Sequence, residues 1–304
     1  MSAGSVVVLA GGTGGAKLAR GMLDVVGPGE LTVIANTGDD IEIYGAHISP
    51  DPDLISFWLA DRIDARGWGL EGDTFHVMDG LRELGVEVWF NLGDRDLALG
   101  LERRRRLDEG ARLTDAQAAL TTALQIDATV LPMTDRPVRT RVMADGRWWP
   151  LQEFLIRQRG QGEVRDVDFR GVRAAQPTPE TLAALAGARA IVIGPSNPVI
   201  SIGPILALPG VKQALQASPA PVVAVSPLVQ DQVVKGPTAA FMQAAGWPVS
   251  SDGIAAAYTG LLDGLVADQR TEALPALETS VLLDTPERRH DVAEQTLAFA
   301  LGLA

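Results

Sequence analysis

The sequence predicts an α/β protein with a Rossmann-like three-layer fold, a mostly parallel sheet and a smaller inserted subdomain. One observation is the apolar run Ser5 to Ala10, which is typical of a strand covered on both faces. A glycine-rich turn, a helical pattern and a second apolar run, Leu31 to Ala35, follow it in order. Strand, turn, helix and strand indicate a βαβ crossover, which places the two strands parallel in one sheet.

Length and composition narrow the classes of protein. The chain has 304 residues, of which 46% are hydrophobic, and we interpret residues 1–304 as a single α/β nucleotide-binding domain. The formal net charge of -12 makes nucleic acid an unfavourable partner. Cysteine is absent, which excludes disulfides and thiolate nucleophiles. No apolar run reaches the roughly 20 residues that span a bilayer and no basic leader precedes the first strand, so we predict a cytoplasmic protein without a membrane partner.

Apolar spacing and capping residues predict the other elements. In the first half the pattern predicts helices over residues 54–65, 74–84, 94–108 and 114–125, and strands over residues 86–90 and 128–131. In the second half it predicts helices over residues 180–187, 211–216, 239–245 and 286–301, and strands over residues 190–193, 222–225 and 280–283. Thr114 is predicted to cap its helix. An arginine-rich insertion over about residues 136–172 is predicted to form a β-ribbon and one helix beside the main sheet.

The segment AGGTGGAK, residues 10–17, joins the first strand to the first helix. Its glycines let the backbone approach a ligand, and a helix N-terminus offers free amides and a positive dipole end, which favours a phosphate. The segment lacks the GxGxxG dinucleotide pattern, because Lys17 occupies the third glycine position, and it lacks the Gly-Lys-Ser/Thr of a Walker A loop. A tight turn without a ligand is the alternative.

A second polar loop, GPSNPVISIGP over residues 194–204, follows a later apolar strand. Its prolines make it stiff, which lowers the ordering cost of binding, and its hydroxyls and amide suit a diphosphate. A turn-rich connection is the alternative. From these two loops we predict the following nucleotide-binding residues: Gly11, Gly12, Thr13, Gly14, Gly15, Lys17, Ser196, Asn197, Ser201 and Gly203.

Acidic residues follow the second strand in the segment NTGDD, residues 36–40, and recur as Asp51 and Asp53. Loops beyond the carboxyl ends of neighbouring parallel strands share one crevice, so these acids are expected to face the glycine loop. Adjacent carboxylates suit Mg²⁺, which prefers oxygen ligands and leaves coordination positions for substrate phosphates. We predict Asp39, Asp40 and Asp53 as metal ligands, with turn and cap residues as the alternative, and we favour that alternative for Asp51.

The segment FNLGDRD, residues 90–96, follows the predicted strand 86–90 and is expected near the same crevice. Asp94 either faces that crevice or caps the following helix. Trp89 ends the predicted strand, where a flat heterocycle has a ring to stack on. Other chemistry-bearing residues are interpreted as structural or solvent-exposed: His47, His76, His290 and the arginines from Arg103 to Arg106.

Together these motifs resemble the 2-phospho-L-lactate transferase family (CofD and the N-terminal part of FbiA). The matching segments occur in the family's order and cover nearly the whole chain: GGTGGAKLARG, NTGDD, ISPDPD, WFNLGDRDLA, LPMTDRPVRTRV, GPSNPVISIGPIL and VVAVSPLV…KGP. Two of them, LGDRDLA and GPSNPVISIGPIL, are too long to match by coincidence. The longer FbiA type carries a further C-terminal reductase-like domain, so the chain resembles the short form.

The resemblance implies a magnesium-dependent transferase of coenzyme F-420 biosynthesis that works as a homodimer. The donor is a guanosine-diphosphate-linked phospho-acid (phospholactyl, phosphoenolpyruvyl or phosphoglyceryl), the acceptor is the ribityl hydroxyl of the deazaflavin Fo, and GMP leaves. We expect Asp40 and Asp53 to be catalytic, and their substitution by alanine to reduce turnover with the fold intact. The residues expected to bind the deazaflavin are Thr13, Asn36, Asp40, Trp89 and Asp94. From charge alone, Arg139 and Arg141 are candidates to contact the acid's carboxylate.

Two other classes of protein compete with this one. A non-catalytic regulator that binds nucleotide sugars shares a similar glycine loop and an SNP-type loop, but lacks the full LGDRDLA and SIGPIL patterns. Deazaflavin binding, visible by absorbance, separates it from the transferase. An NAD-dependent dehydrogenase is disfavoured, because the GxGxxG pattern fails and no convincing catalytic base is present.

Overall fold

The structure, a computed structural model, describes residues 4–230, 232–233 and 236–304. The strands are β1 (Val6–Ala10), β2 (Leu31–Ala35), β3 (Ile41–Ile43), β4 (Ala46–Ile48), β5 (Thr129–Pro132), β6 (Arg139–Ala144), β7 (Arg147–Pro150), β8 (Val164–Arg170), β9 (Ala190–Ile193), β10 (Val222–Val225), β11 (Leu228–Val229), β12 (Gln232–Val233), β13 (Gly264–Ala267) and β14 (Ala276–Glu278). The helices are α1 (Gly12–Val26), α2 (Pro50–Leu59), α3 (His76–Glu83), α4 (Asp94–Asp108), α5 (Leu113–Ala123), α6 (Leu151–Ile156), α7 (Pro179–Ala186), α8 (Gly203–Ala207), α9 (Val211–Ala217), α10 (Thr238–Ala244), α11 (Ser251–Ala257) and α12 (Pro286–Gly302). Lys235, in the KGP segment, lies outside the described residues.

The central sheet has seven strands in the order β14-β13-β10-β9-β1-β2-β5, and every pairing in it is parallel. From β1 the chain builds outwards through β2 and β5, and it later returns to the other side of β1 with β9. The strand order therefore reverses between β1 and β9. In open α/β sheets, ligands bind beyond the carboxyl ends of the strands at such a switch point. The predicted fold class is confirmed.

Strand β1 shows why the sheet is a middle layer. Val6, Val8 and Ala10 belong to one apolar cluster, whereas Val7 and Leu9 belong to another. The first cluster includes residues of α1, α2 and α12, and the second includes residues of α7, α8, α9 and α11. Successive side chains of a strand point to opposite faces, so a continuous apolar run is fully buried only when helices cover both.

Residues 139–170 form a separate three-stranded antiparallel sheet, ordered β7-β6-β8, with α6 between β7 and β8. The ribbon and helix predicted here are present, and β8 adds a third strand. Phe154 of α6 packs edge-to-face on Phe241 of α10. The backbone amide of Thr140 donates to the oxygen of Gly38 at 2.6 Å, so this sheet is attached to the acidic loop after β2.

The strand predicted over residues 86–90 is wrong. The amide of Val86 donates to Leu81 of α3 at 2.9 Å, and the amide of Phe90 donates to the Tyr44 hydroxyl at 3.3 Å. The segment therefore packs on a helix and a hairpin instead of joining the sheet. An alternating pattern indicates that one side of a segment is buried. A helix and a hairpin can cover that side as well as a sheet can.

The strand predicted over residues 280–283 is also wrong, because the sheet's edge strand is β14 and residues 280–283 pair with no strand. Strand β13 was not predicted, since four residues after a glycine carry little periodic signal. Thr114 does not cap α5: Arg112 is the N-cap, and the Thr114 amide donates to Asp135 Oδ1 at 2.9 Å. The predicted loop 36–53 contains the β3–β4 hairpin and the start of α2.

In the part of the chain that the structure describes, none of the helices combines the length and apolarity needed to cross a bilayer.

Candidate active site

The glycine loop and the loop after β9 meet at the switch point. A Cβ added to Gly14 would lie 1.9 Å from the backbone oxygen of Pro195, and one added to Gly15 would lie 2.6 Å from Ser196 Oγ. Only glycine lets the two loops approach this closely. The amide of Gly11 also donates to Ser196 Oγ at 3.4 Å. The glycines of this segment thus bring the start of α1 against the second polar loop.

A cleft of about 370 Å³ opens at this junction, within the range of small-molecule sites. Most of the predicted nucleotide-binding residues line it: Gly11, Gly12, Thr13, Gly14, Lys17, Ser196, Asn197 and Ser201. Gly15 and Gly203 are not in the lining. Gly15 instead packs against Ser196, and Gly203 packs against the ring of Phe169. The structure therefore brings the two predicted loops into one binding cleft.

Helix α1 begins at this cleft, and its N-cap residue, Gly11, has no side chain that could accept from the first-turn amides. Its first residue, Gly12, has a φ of +64°, a conformation that favours glycine. The Gly12 amide donates to Asp51 Oδ1 at 2.5 Å, which ties the helix start to α2. Lys17 lines the cleft one turn further on, with its Nζ 5.6 Å from the ring centroid of Trp58. First-turn amides and the positive dipole end make this helix terminus suitable for an anion.

Another part of the cleft's lining is apolar and comprises Leu155, Ile200, Val229, Val281 and Leu283. Val281 and Leu283 come from the segment after β14, which was predicted as a strand. An apolar wall of this kind suits the flat face of a heterocycle. The cleft therefore joins an end lined by glycines and hydroxyls to an apolar end, an arrangement that suits a nucleotide.

Three buried carboxylates lie beside the glycine loop, those of Asp39, Asp40 and Asp51, with exposures of 9%, 3% and 6%. Asn36 links two of them, because its Nδ2 donates to Asp51 Oδ2 at 2.9 Å and to Asp39 Oδ1 at 3.2 Å. Gln152 of α6 donates to Asp39 Oδ2 at 3.1 Å. Among the described residues, therefore, only neutral N–H groups donate to the side chains of Asp39 and Asp51. We call Asp39, Asp40 and Asp51 the carboxylate cluster.

Electrostatics in the carboxylate cluster oppose its ionisation. Burial raises the pKa of Asp39 well above its usual range, and the charges of Asp51 and Asp40 raise it further, against a smaller effect of Arg139. Burial likewise raises the pKa of Asp51 to about 6, although hydrogen bonds from Asn36 and Gly12 lower it. A bound cation would stabilise the charged forms of both side chains.

Asp40 is held by side chains of the hairpin that follows it. Ser49 Oγ donates to Asp40 Oδ1 at 2.7 Å, and His47 Nε2 lies 3.0 Å from Asp40 Oδ2. His47 Nδ1 faces Glu42 Oε1 at 3.4 Å. Burial lowers the pKa of His47, but the hydrogen bonds to Asp40 and Glu42 outweigh that effect and raise it to about 9. His47 is thus a cation at neutral pH and donates to both carboxylates.

Asp53 has a different partner. Both terminal nitrogens of Arg103 donate to its carboxylate, and the Arg103 side chain is fully buried. Arg103 also donates to the backbone oxygen of His47 at 3.0 Å. The interpretation of Arg103 as solvent-exposed is therefore wrong, whereas Arg104 and Arg105 are exposed. A run of four arginines on a helix turns more than once around its axis, so one of them faces the core.

The aspartates of this site differ in how well they fit the Mg²⁺ that the resemblance implies. Within the described ranges, the structure contains no cluster of three or more acidic or histidine side chains in metal-binding geometry. Mg²⁺, however, is usually held by one or two carboxylates together with substrate phosphates. Asp39 and Asp51 fit this requirement. Their carboxylates accept only from neutral donors among the described residues, so no cation of the chain neutralises them there. Asp53 fits less well, because its oxygens already accept from Arg103.

The residues predicted to bind the deazaflavin separate into two groups. Thr13 lines the cleft, and Asn36 and Asp40 lie in or beside the carboxylate cluster. Asp94 instead caps α3, since it accepts from Thr74 Oγ1 at 2.6 Å and from the amides of His76 and Val77. Trp89 stacks on Phe90 at 5.6 Å and has the Arg157 guanidinium 5.3 Å from its ring centroid. For all five residues, deazaflavin binding stays a prediction.

Arg139 and Arg141 occupy alternate positions of β6 and have different partners. Arg139 pairs with Glu42 at 2.5 Å, beside the carboxylate cluster. Arg141 pairs with Asp168 of β8 and lies over Trp148, 5.0 Å from the ring centroid. Of the two candidates, only Arg139 therefore lies close to the predicted site.

Sequence reasoning missed the contacts of His47, Arg103 and Gln152. One signal for His47 was available, because the β3–β4 register places it opposite Glu42. No local pattern identifies Gln152 or Arg103, since each reaches its aspartate across a long stretch of sequence. Asp51 was interpreted as a turn or cap residue, yet its side chain contacts the start of α1 and Asn36.

The fold and cleft define a class of protein, an α/β protein with a parallel sheet and a cleft at the start of its first helix. Residues 6–298 match the family model described as 2-phospho-L-lactate transferase CofD. The chain belongs to this family of transferases, whose function is consistent with coenzyme F-420 biosynthesis.

The curated relatives cover nearly the whole chain. The chain is 39% identical to the 2-phospho-L-lactate transferase of Methanosarcina mazei, over 95% of this chain and 98% of that protein. It is 37% identical to the phosphoenolpyruvate transferase of Kitasatospora aureofaciens, over 97% of each. A crystal structure of protein BH3568 from Bacillus halodurans has a TM-score of 0.63 at 17% identity and covers 97% of this chain and 99% of its own, which shows the shared fold.

Proposed function

We propose that the chain transfers a phospho-acid group from a guanosine-diphosphate-linked donor to the ribityl hydroxyl of Fo, with release of GMP. The observation that carries the proposal is the meeting of three features at one switch point: the glycine-rich start of α1, the polar loop after β9 and the carboxylate cluster. Phosphoryl transfer needs alignment and charge neutralisation more than covalent participation by the protein. Relatives named for two acids, phospholactate and phosphoenolpyruvate, support a phospho-acid as the group transferred.

The donor's diphosphate is assigned to the start of α1. The amides of the first turn, together with Lys17 and the hydroxyls of Ser196 and Ser201, line that end of the cleft. The apolar residues, among them Val281 and Leu283, then cover the nucleoside. This orientation places the phosphates near Asp51, which is bonded to the Gly12 amide.

The carboxylate cluster is assigned to Mg²⁺, with Asp39 and Asp51 as the side chains that would hold it and Asp40 as their neighbour. Mg²⁺ bound there would neutralise the charge of the donor's phosphates. Asn36 and Gln152 orient Asp39 by donating to its two oxygens. Asp53, predicted as a ligand, is assigned a supporting role, because Arg103 links it to the backbone of His47.

The acceptor hydroxyl needs a group that takes its proton. We assign this role to Asp40, whose two oxygens are fixed by Ser49 and His47. Of the predicted deazaflavin contacts, Asn36 donates to Asp39 and Asp51, and Thr13 lines the cleft. A homodimer is retained as part of the proposal on the resemblance, and a cytoplasmic location on the sequence pattern that predicts it.

The test is an incubation of the purified protein with Fo, Mg²⁺ and a mixture of guanylylated phospho-acids, read by mass spectrometry. The proposal predicts an Fo–phospho-acid product that forms only with Mg²⁺, together with GMP. A matched reaction with Asp40→Asn reports on the proton acceptor. Absence of product and of Fo binding by absorbance would contradict the proposal and favour a nucleotide-binding regulator.

A further inference from the structure

A second pocket, which we call the Arg136 pocket, lies next to the carboxylate cluster and has a volume of about 210 Å³. The residues of its lining that matter here are Thr37, Asp40, Glu42, His47, Arg136 and Arg139. It shares none of the residues that line the larger cleft. Asp40 lines the Arg136 pocket and not the larger cleft, whose lining includes the start of α1.

The charges around the Arg136 pocket leave one guanidinium uncompensated. Glu42 pairs with Arg139 at 2.5 Å, and Asp40 pairs with His47 at 3.0 Å. The two other acids of the lining also have basic partners: Asp108 pairs with Arg104 at 2.8 Å, and Asp135 with Arg112 at 2.9 Å. In the described ranges, no carboxylate lies within ion-pair distance of Arg136, whose only hydrogen bond is donated by its backbone to Thr134. A small anion bound in this pocket would give the Arg136 guanidinium a partner of opposite charge.

A buried hydroxyl points to a ligand independently of the charges. Thr37 is 2% exposed and lines the pocket, yet its Oγ1 makes no hydrogen bond with any described residue. A buried polar group without a partner has lost its hydrogen bonds to water and gained none in the protein, so such groups in native proteins need an explanation. An oxygen of a ligand held by Arg136 would accept from this hydroxyl.

The size of the pocket limits the ligand. Drug-sized ligands occupy sites of about 300–1,000 Å³, so a pocket of about 210 Å³ is too small for a tricyclic deazaflavin or a nucleoside. A three-carbon acid fits this limit. The Arg136 pocket lies beside Asp40, close to where the proposed function places the donor's phosphates.

We propose that the Arg136 pocket binds the carboxylate of the donor's acid group, with the Arg136 guanidinium and the Thr37 hydroxyl as its donors. This inference rests on the proposed function, because it extends the same donor from the glycine loop across the carboxylate cluster. It assigns the acid end and the nucleotide end of the donor to different chambers. The Arg139 contact predicted from charge becomes indirect, since Arg139 already pairs with Glu42 and shapes the pocket.

The test compares two donors. One is the guanosine-diphosphate-linked phospholactyl donor, and the other carries isopropyl phosphate in place of phospholactate and so lacks the carboxylate. Arg136→Gln is expected to raise KM for the first donor about tenfold or more, the usual loss for a hydrogen bond to a charged group. KM for the second donor is expected to be unchanged. Thr37→Val is expected to raise KM for the first donor severalfold.

The matched control is Arg270→Gln, because the Arg270 side chain is 78% exposed and lies in the segment between β13 and β14. It should leave KM for both donors at the wild-type value. Equal KM increases for both donors in Arg136→Gln, or no increase for either, would overturn the inference.

Binding separates failure of this inference from failure of the proposed function. If wild-type protein turns over no donor, the proposed function fails, and calorimetry with free 2-phospholactate then decides about the pocket. Binding by wild type and Arg270→Gln, and loss of at least tenfold in Arg136→Gln, would support the carboxylate site. Equal binding in all three proteins would overturn it, as would equally strong competition by inorganic phosphate, which lacks a carboxylate.

Discussion

Two sets of buried aspartates lie a few residues apart in this chain and differ in what neutralises them. Asp53 accepts from both terminal nitrogens of a fully buried arginine, Arg103. Asp39 and Asp51 accept only from neutral N–H groups within the described residues, and their pKa values are raised mainly by burial. A charge that the chain neutralises itself needs no ligand, whereas two buried carboxylates that repel each other would be stabilised by a bound cation.

The two sets of aspartates should respond differently when a charge is removed by substitution. Removing a charge from the Asp53–Arg103 pair should damage the fold, because the remaining charge stays buried without compensation. Removing a charge from the carboxylate cluster should spare the fold and damage the reaction. This revises one expectation from the sequence, since Asp53→Ala is now expected to destabilise the protein as well as to slow it.

The largest effect is expected from Arg103→Met. It leaves Asp53 buried without a cation, so the free energy of unfolding should fall by about 3–5 kcal/mol, as measured by urea denaturation. Arg104→Met is the matched control on the same helix. The Arg104 side chain is 46% exposed, and its loss should leave the unfolding curve almost unchanged. Similar curves for both variants would contradict a structural role for the buried pair.

The next effect is expected from Asp39→Asn. We expect turnover to fall by about 100-fold or more, as for the loss of a group that stabilises transition-state charge. Stability at pH 8 should be unchanged or higher, because one repelled carboxylate is gone and the Gln152 amide can rotate so that its oxygen accepts from the introduced amide group. If Asp39→Asn unfolds more easily than wild type and keeps a normal kcat, Asp39 has a structural role and not a role in the reaction.

The carboxylate cluster also predicts a pH dependence of stability. A folded-state pKa of about 6 for Asp51 lies above the ordinary value of 3.8, so the folded chain holds a proton that the unfolded chain has released. Stability should therefore decline as pH rises from about 4 through about 6. Thermal unfolding across this range should show a shallower decline in Asp40→Asn, because the charge of Asp40 raises the pKa of Asp51. An identical slope in both proteins would count against the coupling.

The smallest effect is expected from His47→Gln. A raised pKa of about 9 means that His47 stabilises the fold below about pH 6.5 and that this contribution is lost as pH rises through 9. His47→Gln should therefore flatten the stability profile between pH 6.5 and 9 and lower kcat about tenfold, with KM for the donor little changed. An unchanged kcat in His47→Gln would show that His47 does not position Asp40 for the reaction.

Much of the fold was predictable because its signals are local. The fully apolar β1 and the helix over residues 94–108 carry clear patterns, and α4 occupies the range predicted for it. The failures concern segments whose partners are distant. Residues 86–90 alternate like a strand but pack on a helix and a hairpin, and residues 281–283 line the cleft without pairing with a described strand.

The site was predictable in its location and less so in its connections. Parallel-strand topology alone brings the glycine loop to the acidic loop, and the Gly12–Asp51 contact follows from it. Which aspartate acquires a cationic partner depends on Arg103, fifty residues beyond Asp53. No periodicity in the sequence distinguishes that arginine from its three neighbours in the same run.

The central claim is that the carboxylate cluster, and not Asp53, holds the divalent cation. It is tested most directly by titrating Mn²⁺, as a paramagnetic substitute for Mg²⁺, into the protein with GDP and following free Mn²⁺ by electron paramagnetic resonance. Glu272→Gln, at a side chain that is 88% exposed, serves as the control. We predict one site in wild type and in the control, weakened at least about tenfold in Asp39→Asn, the loss expected when one charged ligand is removed. Wild-type affinity in Asp39→Asn would contradict the claim.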